Sequence, residues 1–311
     1  MLARYVARRA LYTLVVIFAA SIVIFAFLRI APGTPENTLM NPMASEQARM
    51  AFRIQLGLDK PLPVQYVTFI GNLMHGNLGV SLKSGQPIPE MLVLYGSNSL
   101  VLIAAACLLM YGVGIPLGVL SAIRHDHLID HIVRGFASIS LGIPNFLLGL
   151  LLVLVLGSSL GWLPISGTGG PDHLILPTIA LGAEGMALTL RLVRSSVLEQ
   201  LGQDYVRTLR AKGLVSIQIW LHALRNALLP LISLSALQVG SLVGYTAIVE
   251  VVFRWPGLGQ LLVNSVLLRD YPVALMLSLV LTVSVVLANF AANIAYAMAD
   301  PRIRLAVPRA A

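Results

Sequence analysis

Residues 204–213 read DYVRTLRAKG. Asp204, Arg207, Arg210 and Lys212 fall within nine positions, in a chain of 311 residues whose charged fraction is only 11%. The hydrophobic fraction is 57% and the mean hydropathy +0.85. A soluble protein of this size needs far more charge to cover its surface, so the composition is that of a membrane protein. The charged stretch is therefore an interruption between apolar segments, and its place among them sets the topology.

A membrane-spanning helix needs about 20 mostly apolar residues. Six segments meet or approach that length: 10–28, 98–121, 135–157, 174–193, 225–250 and 270–300. The expected class is an all-α polytopic membrane protein. Six spans put both termini on one side, and that side carries 14 of the 21 Lys and Arg. The excess predicts cytoplasmic termini and explains the net charge of +8 without nucleic acid. The run after Arg4, Arg8 and Arg9 is longer than a signal-peptide core, and no clear A-x-A site follows it, so it reads as a retained span. The expected organisation is residues 1–30 as an N-terminal tail and first span, and 31–97 as an outer segment. Residues 98–300 form a core of five spans, and 301–311 a cytoplasmic tail.

The outer segment predicts two short helices. In SEQARMAFRIQLGL, Ser45 is a plausible N-cap, with Ala48, Phe52 and Leu56 at helical spacing. LPVQYVTFIGNLMHG reads as a second helix ending at Gly76. Its role is either packing over helix ends or contact with a partner. The pairs Gly114/Gly118 and Gly240/Gly244 allow close helix approach, within the chain or between subunits. In HDHLIDH, His127 and His131 share a helical face as metal ligands can, but a solvated cytoplasmic turn explains them better, and no metal site is assigned.

Five polar residues interrupt the spans: Asn145, Glu184, Gln238, Ser241 and Tyr245. Polar groups at membrane depth face protein or water, so these are candidates for lining a solute path, or for bonding neighbouring helices. The lysines are Lys60, Lys83 and Lys212, and none follows a glycine. The sequence thus carries no phosphate-binding loop and no recognisable catalytic motif. Energy for uphill transport has to come from another subunit or an ion gradient.

Within the charged stretch, residues 204–212 predict two helical turns closed by Gly213, which tolerates positive φ. Ser216 is then expected to cap a second short helix with Ile217, Trp220 and Leu221 on its apolar face. Such an elbow suits docking into a groove on a soluble partner, or lying at anionic headgroups of the membrane lipid.

This pattern resembles the cytoplasmic E-A-A loop of permease subunits of bacterial ATP-binding-cassette (ABC) importers. The general motif E-A-A-x-x-x-G would place its first three residues at Arg207, Thr208 and Leu209, where this chain departs from it. DYVRTLRAKG and HALRNALLP instead resemble the dipeptide, oligopeptide and nickel branch, with Leu209 where alanine is usual. LGLDKPLPVQY, GNLGVS, LGWLPISG, VFRWPGLGQLLVNSVLLRDYP and ADPRIR carry the same resemblance, while Thr34 replaces the usual aspartate. The resemblance implies a type I importer permease (MetI-like) fold in the bacterial inner membrane, and a non-catalytic subunit. Implied partners are a homologous second permease, an extracytoplasmic binding protein and two ATPase subunits that hold ATP and Mg. The coupling loop would span about 195–228, with Asp204, Tyr205, Arg207, Thr208, Arg210, Ala211, Lys212, Gly213, Ile217, Trp220, Leu221 and His222 at the ATPase contact. The implied solute is a di- or oligopeptide, with glutathione, a nickel chelate or another small solute as alternatives. A proton-driven carrier using Glu184 is the remote alternative.

Overall fold

The structure is a computed structural model that describes residues 2–30, 45–55 and 57–299. Its described residues are helical, with one isolated bridge between Val80 and Pro87 in place of a sheet. Helix α1 is Leu2–Ile30, α2 Glu46–Gln55, α3 Leu62–Met74, α4 Ile88–Gly112 and α5 Gly114–Ile123. Then come α6 Leu128–Gly142, α7 Asn145–Leu152 with a π-helical turn Val153–Ser159, and α8 Pro171–Leu201. The remainder is α9 Asp204–Ala211, α10 Ser216–Ala227, α11 Leu229–Val252, α12 Leu258–Leu267 and α13 Tyr271–Ala299.

Among the described residues four helical stretches are long and apolar enough to cross a membrane, and six spans result if each of two bent pairs counts as one. The α6–α7 pair turns through 107° and the stretch Ser216–Ile232 with Leu237–Val252 through 55°. The first bend follows from Pro144, which cannot continue a helix and holds Ile143 in extended backbone. The span expected over 135–157 is thus made of two helices that meet at this bend.

Helix α8 is the centre of the bundle and packs against α4, α5, α6, α7, α10 and α11. Its most apolar window is 56% buried, against 17% for that of α1, which lies at the edge against α13 and α3. Without a hydrophobic effect between helices in lipid, close packing has to supply the attraction. Gly114 and Gly118 supply it here. A Cβ on Gly118 would sit 2.8 Å from the Leu190 carbonyl and 2.9 Å from Val193 Cβ, so α5 and α8 touch backbone to backbone. This glycine pair thus packs inside the chain. The second pair divides: Gly240 abuts Asn289 of α13, and Gly244 faces open space.

Helix α2 starts as expected, with the Ala48 N–H donating to Ser45 Oγ at 3.3 Å; Leu56 lies outside the described residues. Helix α3 lies along the C-terminal half of α1, through Ser21 Oγ and Tyr66 OH at 2.8 Å and the rings of Phe25, Tyr66 and Phe69. Segments 31–44 and 300–311, which include Thr34 and the expected tail, are outside the described residues.

Helix α4 begins at Ile88, ten residues before the expected span boundary. Two of its polar residues bond the distant end of α11 and the loop after it. Asn98 Nδ2 donates to the Pro256 carbonyl, Trp255 Nε1 to the Asn98 carbonyl, and Ser99 Oγ to Glu250. Glu250, fully buried at the end of α11, also accepts the Gly259 and Gln260 N–H groups at 2.7 and 3.2 Å. One carboxylate thereby caps α12 from a distance and clips it to α4. Asp270 repeats the device before α13, accepting Ser81 Oγ and the Leu82 N–H.

Gly118→Leu is expected to cost about 1–3 kcal/mol by overpacking the α5–α8 contact. Gly244→Ala should cost little, and the comparison is read as the temperature at which purified chain loses solubility in detergent.

Candidate functional site

The charged stretch folds as an elbow on the end of α8. Val206 of α9 is fully buried, and Tyr205 OH donates to Gln200 Oε1 at 3.1 Å, so α9 is anchored on one face. Asp204, Arg207, Thr208, Arg210, Ala211, Lys212 and Gly213 are exposed. The Arg207–Asp204 pair spans 3.4 Å with both side chains in solvent and contributes little. The Leu214 N–H reaches the Leu209 carbonyl at 3.2 Å, and the Gly213 N–H reaches that of Arg210 at 3.0 Å. These two bonds and a φ of 76° at Gly213 form a Schellman C-cap.

Helix α10 differs from expectation in two respects. Its N-cap is Val215, and Ser216 is already helical without a capping bond from its side chain. Its apolar residues also fall on two faces. Ile219, Ala223 and Ala227 are buried, with half-buried Trp220 and Leu224 beside Val193 and Val197 of α8. Ile217 and Leu221 point away, 63% and 59% exposed, next to Val215 and the exposed His222. A helix needs one apolar face to pack on its own chain, so the second is available to something else.

Asn145, Glu184, Gln238, Ser241 and Tyr245 all line one cavity of about 180 Å³ between α7, α8 and α11. Gln238 is committed to helix packing: its Nε2 donates to the Gly185 carbonyl at 3.0 Å, and its Oε1 accepts Tyr111 OH and Thr189 Oγ1 at 3.4 Å. Ser241 bonds its own helix at the Leu237 carbonyl. Asn145 is delivered into the cavity by the bend at Pro144, and its Oδ1 is buried without a donor among the described residues. Glu184 makes no hydrogen bond or ion pair among the described residues.

The cavity adjoins a larger cleft of about 1110 Å³, with Leu188, Leu234 and Leu237 common to both. Arg134, Arg191 and Arg194 line this cleft. Asp130, with no exposed surface, takes the Arg194 guanidinium in both carboxylate oxygens at 2.7 Å each. Ser121 Oγ and the Asp126 N–H add two further donors. The HDHLIDH stretch is therefore an anchor between α5, α6 and α8. Its potential donor cluster is His125, Asp126 and Asp130 rather than His127 and His131, and Asp130 is already neutralised by arginine. In the sequence, Arg191 and Arg194 count only toward the Lys and Arg excess that orients the chain. The recurrence of Glu184, Leu188, Arg191 and Ser195 at helical spacing was the available signal for a lining stripe.

A family model described as "Binding-protein-dependent transport system inner membrane component" matches residues 114–305, and one described as "Binding-prot-dependent transport system membrane comp, N-term" matches residues 1–104. The oligopeptide transport system permease protein AppB of Bacillus subtilis (strain 168) is 39% identical over 317 residues, covering 97% of this chain and 99% of the relative. The glutathione transport system permease protein GsiC of Escherichia coli (strain K12) is 36% identical over 301 residues, covering 96% and 98%.

Asp130→Asn should destabilise the chain by about 3 kcal/mol, because Arg194 is left half-buried without its counter-charge. Adding Arg194→Gln should recover part of that loss, measured as the same detergent melting shift in a double-mutant cycle.

Proposed function

This chain belongs to the family of binding-protein-dependent transport system inner membrane components, and we propose that it forms half of the translocation path of an ATP-driven peptide importer. As a permease of that family it is a multi-pass inner-membrane subunit that works with ATPase and binding-protein partners. The observation that carries the finer reading is the two-faced helix α10. One face is packed on α8, the helix that lines the cavity and cleft, and the other offers Ile217 and Leu221 for docking.

The proposed sequence of events starts outside the chain. A binding protein delivers the solute, and ATP with Mg closes two ATPase subunits against each other. Each permease presents its elbow to one ATPase, and this chain pairs with a homologous second permease across the cleft. Closure moves α10, α10 moves α8, and the path switches sides as a rigid-body change between states with different partner contacts. The chain itself does no bond chemistry. Both termini lie on the cytoplasmic side with the elbow.

Di- and oligopeptides are the proposed solutes, on the printed roles of the relatives. Glutathione is the second reading, favoured by the glutathione permeases at similar identity. A carrier driven by protons through Glu184 predicts loss of uptake on collapse of the gradient with ATP maintained. The ATP-driven reading predicts the reverse.

Cysteines at positions 217 and 221 should crosslink to an ATPase subunit in the assembled complex. Crosslinks confined to lipid would favour a headgroup-bound elbow instead. Gly213→Val forces φ of 76° on a β-branched residue at a cost of about 1–2 kcal/mol. It should lower uptake about tenfold at equal membrane level while ATP hydrolysis persists.

A further inference from the structure

Acids with no exposed surface in this chain are held by partners: Asp130 by Arg194, and Glu250 by Ser99 and two backbone N–H groups. Glu184 is different. It lies near the middle of α8 and faces the small cavity without a hydrogen bond or ion pair among the described residues. A charge at membrane depth costs several kcal/mol unless it meets protein, water or a ligand. Among the three arginines of the adjoining cleft, Arg194 is spent on Asp130, and Arg134 lies 3.6 Å from Asp130 and donates to His131. Arg191 alone of these three, among the described residues, has no hydrogen bond or ion pair.

Glu184 and Arg191 are seven residues apart on one helix. At 1.5 Å rise and 100° per residue they lie on the same face, about 10 Å apart along the axis. Leu188 sits between them and lines both the cavity and the cleft. The amino nitrogen and terminal carboxylate of an extended tripeptide are also about 10 Å apart, at 3.3–3.6 Å per residue. Between these ends a peptide offers backbone N–H groups, and the orphaned Oδ1 of Asn145 in the same cavity is an acceptor for one. Leu188, Leu234 and Leu237 give the side chains an apolar wall that makes no polar demand on them.

We propose that Glu184 and Arg191 form a dipolar rail that takes a peptide by its two free ends, the ammonium at Glu184 and the carboxylate at Arg191. The proposal rests on the peptide-importer reading and adds to it an orientation. The carboxylate lies toward the elbow end of α8, and the cationic cleft draws it there. It also separates two tasks. The binding protein chooses side chains, and the rail checks that both ends are unblocked.

The test uses the complete complex, with its binding protein unchanged, in proteoliposomes. Trialanine is compared with N-acetyl-trialanine and with trialanine amide, and each transport rate is divided by that of trialanine for the same permease variant. Binding-protein selectivity is common to every variant and cancels in the comparison. In the wild type, acetylation should impose about a fivefold greater penalty than in Glu184→Gln, and amidation about a fivefold greater penalty than in Arg191→Gln. Each variant should leave the penalty at the opposite end unchanged. Equal penalties in wild type and both variants would overturn the rail while leaving the importer reading intact. Failure of the wild type to move trialanine with ATP would remove the peptide reading and the rail together. Arg191 is exposed and unpaired among the described residues, so its variant carries the comparison even if Glu184→Gln does not assemble.

Discussion

Among the described residues, three carboxylates with almost no exposed surface hold this chain's loops to its helices. Asp130 joins α5, α6 and α8; Glu250 joins α11, α12 and α4; Asp270 joins α13 to the turn at Ser81. In lipid, apolar helices gain little from one another, so burial alone leaves their register undetermined. A buried charge that is fully bonded is costly to separate from its donors, and that cost grows as water is excluded. Each carboxylate therefore acts as a latch with one closed geometry. The glycine contact of α5 against α8 adds the van der Waals attraction that holds the helices together once their register is set.

With these latches closed, the parts left uncommitted stand out. Ile217 and Leu221 are apolar and face away from the chain; Glu184 and Arg191 are charged and face the cavity and cleft. The first pair is on α10 and the second on α8, and α10 is packed on α8 through Trp220, Leu224, Val193 and Val197. A partner outside the membrane and a solute inside it would thus act on opposite faces of one two-helix unit.

Much of this was legible in local patterns. The Ser45 cap, the elbow at Gly213 and the close packing at Gly114 and Gly118 depend on a few adjacent residues, and the sequence carries them openly. The candidate path residues were found from polarity against an apolar background, and the structure gathers all five around one cavity. What the sequence hid depends on contacts between separate elements of the chain. Asn98 and Ser99 look like the polar edge of a span until Pro256 and Glu250 arrive to bond them. The outward face of α10 could not be told from its packed face, because both are apolar and only α8 distinguishes them. Asp130 read as a loop acid because its arginine lies 64 residues further on.

From Met186 to Leu201, α8 contains neither glycine nor proline, a stiff rod of about 24 Å. Val193 and Val197, which meet α10, lie roughly on the opposite side of that rod from Arg191 and Ser195, which face the cleft. A sideways push from α10 therefore cannot be absorbed within the rod. In the proposed cycle it would carry the far side bodily into the cleft, as a sliding bolt crosses a doorway, and the width of the passage would report where the elbow stands.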